Sequence, residues 1–302
     1  MQAAGLIDEA PLRTTPVLNS WCVDVLTPHQ TLIEKLNAEA IDCRRWIVRA
    51  GYDPGTQVAG SLSAIDILVA LYLNFLRVDP RNPGWEDRDR FILSKGHDAY
   101  ALYIVLAKRG FISFEDLKQY ERLGSYLSTH PSRKLKGVDF STGSLGHGLS
   151  AGVGMAIVSK REDRKFKVYV MIGDGEMQEG SIWEAAMSAS KYELDNLVAI
   201  VDRNMLGGGD DYTEKVMPVE PLEDKWKSFG WATIVIDGHN MNEIVGALEK
   251  IPLQSKRPTA IIAKTVKGKG VSFIENQPSL AGLLHFTAEE RDRALRELGD
   301  VQ

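Results

Sequence analysis

The sequence predicts an α/β fold: a doubly wound parallel sheet with helices on both faces. Three observations carry this expectation. Residues 168–172 and 197–201 are short, uninterrupted apolar runs, the pattern of strands buried on both faces. A helix-like segment lies between them. Each run stops at small or polar residues, the first at Gly173-Asp174-Gly175 and the second at Asp202-Arg203-Asn204. Parallel strands joined by a right-handed helical crossover bring their carboxyl ends side by side, where open α/β sheets bind ligands. Asp174 and Asn204 are therefore expected to be neighbours.

The remaining elements follow in order. Residues 1–30 read as an amino-terminal extension, with Pro11, Pro16 and scattered apolar residues of no clear period. From 31 to 50, Leu32, Ile33, Leu36, Ala40, Ile41 and Ile47 recur at helical spacing. Turn formers in GYDPGTQVAGSLS separate this helix from a second, which Ser63 is placed to cap and which runs to Leu76. After a polar turn, FILSKGHDAYALYIVLAKRG reads as an apolar run, a small-residue turn and a helix, and 114–123 as a further short helix. STGSLGHGLSAGVGMAIVSKR is a glycine loop feeding a helix whose small residues permit close packing. Past the central unit come a strand at 232–236, a helix at 242–250 and a strand at 259–263. No internal repeat or low-complexity tract interrupts them. This organisation divides the chain into the extension, a ligand-binding domain over 31–276 and a carboxy-terminal tail over 277–302.

At 302 residues, 44% hydrophobic and 25% charged, the chain can bury one large core or two small ones. A net charge of −5 and a pI near 5.8 leave no extended basic surface, so nucleic acid is not an expected partner. The longest apolar stretch, 64–76, contains Asp66 and Asn74 and is too short to span a bilayer. The amino terminus lacks the basic start and apolar run of a signal peptide. A cytoplasmic location away from membranes is expected. Cys22 and Cys43 sit in no metal-ligand spacing and read as ordinary reduced thiols.

The chemistry centres on the two strand ends. A carboxylate at Asp174 and an amide oxygen at Asn204, beside glycines that expose backbone N–H groups, suit an octahedral Mg²⁺ carrying the oxygens of a diphosphate. Asp and Asn after strands more often serve turns. The spacing of thirty positions between them weighs against that plainer reading.

GDGEMQEG followed by VDRN resembles the thiamine diphosphate motif of the transketolase family. LSKGHDAYALY, STGSLGHGLSAGVGMA, AGSLSAIDILVALY and AKTVKGKGVSF are similar to further family segments and together cover roughly 31–274. The resemblance implies thiamine diphosphate with Mg²⁺, or another divalent cation such as Ca²⁺ or Mn²⁺. The metal would be held by Asp174, Asn204 and the carbonyl of Leu206. His97, Gly143, Leu145 and the Gly173, Gly175 and Glu176 backbone turn would contact the cofactor. Glu179 matches an interface glutamate that links two cofactors, His130 a histidine that hydrogen-bonds the donor sugar, and Lys264 an active-site lysine. His239, in DGHN, matches a turn outside the chemistry.

Family members also carry a pyrimidine-binding domain, which supplies a glutamate to the cofactor ring, and a carboxy-terminal domain. This chain stops after the first domain. The resemblance therefore implies the cofactor-binding component of a split enzyme, inactive alone. Its partner in an α₂β₂ complex would be a pyrimidine-domain, carboxy-terminal transketolase subunit. The reaction would pass a two-carbon ketol unit from a small ketose donor to an aldehyde acceptor. Three departures sit on the substrate side. Gln57 stands where the family has a histidine, His147 replaces the glutamine of LGQG, and SLAGLLH replaces the usual WHG, leaving Ala281 there, or His285 if the loop is shifted. They keep open a thiamine-dependent 2-oxo acid enzyme with a non-standard donor, and a non-catalytic cofactor-binding homologue.

Overall fold

The computed structural model of the protein describes residues 27–207 and 211–300. The expected extension therefore lies almost wholly outside the described residues, as does Cys22.

Five strands, β1 (Arg90–Leu93), β2 (Val168–Gly173), β3 (Leu197–Arg203), β4 (Ala232–Asp237) and β5 (Thr259–Lys264), form one parallel sheet in the order β1-β2-β3-β5-β4. Because side chains alternate across a strand, the sheet sorts its residues into two cores. Tyr169, Met171, Val198, Ile200 and Ile261 face one, whereas Val168, Val170, Ile172, Leu197, Ala199, Val201 and Ile262 face the other. The helices in chain order are α1 (Pro28–Tyr52), α2 (Val58–Ala70), α3 (Ala99–Arg109), α4 (His147–Arg161), α5 (Gly180–Lys191), the single turn α6 (Thr213–Val216), α7 (Leu222–Ser228), α8 (Met241–Glu249) and α9 (Ala288–Glu297). The first core is covered by α1, α2, α3, α8 and α9, and the second by α4, α5 and α7. The doubly wound sheet expected from the sequence is the one found.

Three local expectations are corrected. Ser63 does not cap the second helix: α2 begins at Val58, and the Ser63 Oγ donates to the Gly60 carbonyl at 2.8 Å and to Asp202 Oδ2 at 2.6 Å. Every residue of α2 is buried, so packing rather than a cap sets where it starts. The helix expected at 114–123 is only a 3₁₀ turn, Asp116–Gln119. Leu117 and Tyr120 are its two buried anchors, too few to hold a longer helix. The helical run from Val58 to Phe75, with mean hydropathy 1.7, is long enough to cross a bilayer, but 83% of it is buried inside this protein. Its apolar surface is used by α1 and α3.

Helix α9 lies in the stretch read as a tail. A reciprocal cap between Thr287 and Glu290 starts it, and Arg45 of α1 donates to the Leu298 carbonyl beyond its end at 2.8 Å.

Candidate active site

The carboxyl ends of β2 and β3 lie in register, Gly173 opposite Asp202. The chain then turns sharply after each. Asp174 follows β2, its Oδ1 accepting from the Gly175 N–H at 2.7 Å. Asn204 follows β3; its Nδ2 donates to Asp202 Oδ2 at 3.1 Å and its Oδ1 accepts from the Leu206 N–H at 3.1 Å. The left-handed Met205, φ 70°, makes that turn possible and donates its N–H to Asp174 Oδ2 at 2.7 Å. Asp174 and Asn204 are thus neighbours, as expected, and both line one pocket with Leu206, His97, Leu145, Gly173, Gly175, Glu176 and Glu179.

Beneath the pocket lies a buried charge cluster. Lys95 pairs with Asp202 and, at 2.5 Å, with Asp98. Asp202 also accepts from Ser63 and Thr265. Burial alone would raise its carboxyl, but the Lys95 ammonium and these hydrogen bonds outweigh that and hold it below the usual carboxylate range. The cluster ties β1, α2, β3 and the segment after β5 together directly under the strand ends.

The glycine loop is fastened by Glu176. Its carboxylate accepts from the Ser94 hydroxyl, from the Gly146 N–H at 2.9 Å and from the Gly173 N–H at 3.0 Å. Burial still raises its pKa despite these three donors. Gly146, at φ 85°, is where the loop turns into α4, and a Cβ there would stand 2.7 Å from the Glu179 Cβ. Beyond the cofactor contact expected of it, Glu176 positions the loop that carries Gly143 and Leu145.

The other expected residues divide. His97 opens the turn after Lys95, with 36% of its side chain exposed, and burial of the remainder lowers its pKa from the ordinary value. His130 is exposed and packs its ring against Gly143, 3.4 Å from where a Cβ would stand, and against Gly96. Gly96 thus brings His130 and Gly143 close to His97, which is the one of the three that lines the pocket. Glu179 is exposed at its edge, N-terminal to α5. Gln57 is the residue before α2 and makes no capping hydrogen bond. Neither Gln57 nor His130 lines the pocket itself.

Lys264 is a correction. It is the last residue of β5, exposed, and lines a different cleft with Asp237, His239 and Glu243. The lysine in the pocket is Lys267, three residues on, whose Nζ donates to the Leu206 carbonyl at 3.1 Å. Burial lowers its pKa. Lys264 shares a face with the buried Ala260 and Ile262 but stands at the strand's end, where it is exposed, and Gly268, whose N–H donates to the Ala59 carbonyl at 2.9 Å, turns the chain back under α2. His239 is held by Asp66 at 2.7 Å and accepts from the Val266 N–H at 2.8 Å, so it serves the fold as expected and fastens the loop carrying Lys267.

The segment replacing WHG is tied to the loop holding Gln57. Thr56 donates to the Leu284 carbonyl at 2.9 Å and Val58 to that of Leu283 at 3.2 Å. Ala281 is buried, and it is His285 whose ring lies against Gly55.

Among the described residues no group of three or more His, Cys, Asp or Glu side chains is arranged to hold a metal. A cation here would take one carboxylate and neutral oxygens, a set suited to Mg²⁺ completed by phosphate oxygens and water rather than to Zn²⁺. Lys267 and His97, which line the same pocket, would offer donors to an anion there. The Leu206 carbonyl has a second lone pair to offer beside its bond from Lys267.

A doubly wound sheet with this donor set at adjacent strand ends defines a diphosphate-binding α/β domain. Residues 32–296 match the family described as transketolase, thiamine diphosphate binding domain. The chain is 42% identical over 271 residues to one of the subunits of apulose-4-phosphate transketolase from Phocaeicola vulgatus, covering 89% of this chain and 95% of that one. It is 48% identical over 221 residues to the 6-deoxy-6-sulfo-D-fructose transketolase subunit SqwG of a Clostridium species, covering 73% and 80%. Human transketolase is 43% identical over 224 residues, 73% of this chain and 35% of that protein. The crystal structure of transketolase from Campylobacter jejuni superposes with a TM-score of 0.79 at 29% identity, covering 89% of this chain and 43% of its own. The chain belongs to the transketolase family, through its thiamine diphosphate binding domain, and is a transketolase-like transferase chain.

Proposed function

We propose that this protein is the cofactor-binding subunit of a two-component transketolase. It would act only with a pyrimidine-domain partner and pass a two-carbon ketol unit from a ketose donor to an aldehyde acceptor. The observation that carries the reading is the juxtaposition of Asp174, Asn204 and the Leu206 carbonyl beside His97 and Lys267. In this reading the first three hold a divalent cation, and His97 and Lys267 donate to the diphosphate. Glu176 fixes the glycine loop against the cofactor, and His130 presents its ring to the donor. When bound, thiamine diphosphate supplies the electron sink for breaking the C–C bond beside a ketone. Partner dependence is supported by relatives that are themselves named as transketolase subunits, one of which is matched over 95% of its length.

The donor is proposed to be a ketose with a terminal anionic group, other than the ordinary sugar phosphates. The relatives named for apulose 4-phosphate and 6-deoxy-6-sulfo-D-fructose support this class. So do Gln57, where the family resemblance leads one to expect a histidine, and His147, where it leads one to expect a glutamine. The test is co-purification of the complex followed by calorimetry and a donor screen. Asp174→Ala and Asn204→Ala should each abolish Mg²⁺-dependent thiamine diphosphate binding. Unchanged binding in Asp174→Ala would refute the site, and a complex that binds cofactor yet turns over no ketose or 2-oxo acid would refute the catalytic reading.

A further inference from the structure

Arg203 stands one residue before Asn204, and the sequence suggests no role for it. Its guanidinium is buried, 3% exposed, and bridges three carboxylates. Nη1 donates to Asp174 Oδ2 at 2.8 Å, Nη2 to Glu214 Oε1 at 2.7 Å, and both Nη2 and Nε to Glu220 Oε1 at 3.0 and 3.1 Å. Asp174 Oδ2 already accepts from the Met205 N–H at 2.7 Å, while Oδ1 accepts only from Gly175. Oδ2 is therefore filled, and Oδ1 is the oxygen with a lone pair to spare. Glu214 and Glu220 belong to the segment 211–220, whose Thr213 and Val216 line the pocket. The Gln178 amide steadies the same segment through the Met217 carbonyl at 2.9 Å.

Resting on the reading of Asp174 as a cation ligand, we propose that Arg203 is a positioning residue: its fork turns Asp174 so that Oδ1 faces the cation, and it couples cation binding to the segment 211–220. Groups that orient a metal ligand are typically worth about 10- to 100-fold in metal affinity. A planar fork is what the geometry needs, since one ammonium cannot serve three carboxylates from fixed directions. Charge alone works the other way. A guanidinium near the site repels a cation, so simply deleting its charge would tighten binding. The deciding variants therefore keep charge and change only reach.

The experiment measures Mn²⁺ affinity by electron paramagnetic resonance in the co-purified complex with thiamine diphosphate, alongside hydrogen exchange over 211–220. Arg203→Lys should bind Mn²⁺ about tenfold more weakly, and Mn²⁺ should no longer slow exchange in that segment. Affinity that is unchanged or tighter overturns the proposal. If Arg203→Lys does not fold, Glu214→Asp decides on a partly exposed side chain: binding at least about threefold weaker supports the coupling, by reciprocity between the two events, and unchanged affinity overturns it. Asp174→Asn separates the two layers. Loss of Mn²⁺ there with normal binding in the Arg203 and Glu214 variants sinks only this inference, whereas retention in Asp174→Asn sinks the site reading and this inference with it.

Discussion

At the scale of single residues, two lysines three positions apart have opposite fates. Lys267→Met should weaken thiamine diphosphate binding to the complex by about 10- to 100-fold, the loss of one charge-assisted hydrogen bond of about 1.5–3 kcal/mol. Lys264→Met, on an exposed strand end, should change it less than about twofold. Calorimetry on both decides, and equal losses would restore Lys264 to the site. His97 makes a prediction in pH. Burial holds its folded pKa below the ordinary histidine value, so the folded chain resists a proton that the unfolded chain accepts. Its contribution to stability is present above about pH 6.5 and is lost as pH falls toward the depressed value. Urea midpoints should fall more steeply below about pH 6.5 in the wild type than in His97→Gln. Parallel pH profiles would remove His97 as the cause.

At the scale of elements, α4 offers two glycines with opposite expectations. A Cβ on Gly148 would stand 2.9 Å from the Ser94 Cα, so backbone would have to move, whereas one on Gly154 meets nothing within 4 Å. Gly148→Ala should destabilise the chain by about 1–3 kcal/mol, and Gly154→Ala should stabilise the isolated chain by about 0.5–1 kcal/mol. Urea unfolding of both variants checks the pair, and a stable Gly148→Ala would contradict the close approach of α4 to β1. The strands and the Asp174 to Asn204 pairing were legible because buried parallel strands are continuous apolar runs that end abruptly. The start of α2 was not, because an all-apolar helix carries no periodic mark and its boundary is set by neighbours distant in sequence. The same dependence hid Lys267, since which lysine returns to the pocket depends on where β5 ends. Helix α9 did carry a local signal, Thr287 with Glu290 three residues later, which the reading of that stretch as a tail passed over.

At the scale of the whole molecule, the predictions concern assembly and choice of donor. Glu179 stands exposed at the edge of the pocket, which suits a site completed by other chains. Light scattering of the purified complex should report α₂β₂, and a fully active αβ unit with no larger species would contradict it. The complex should process xylulose 5-phosphate at least about tenfold less efficiently than its best donor, about 1.4 kcal/mol of transition-state binding. A steady-state comparison with apulose 4-phosphate and 6-deoxy-6-sulfo-D-fructose decides it. Xylulose 5-phosphate as the best donor would refute the substrate argument alone.

The two backbone hydrogen bonds that join Thr56 and Val58 to the Leu284 and Leu283 carbonyls read no side chain. Gln57 and His285 ride on that join without belonging to either core. On the proposed reading this rim would meet the far end of the donor, so substitutions there would change the grip without touching the packed cores. A lineage could then explore new sugars by drifting at two short loops, and the same loops are where an engineer would begin a library.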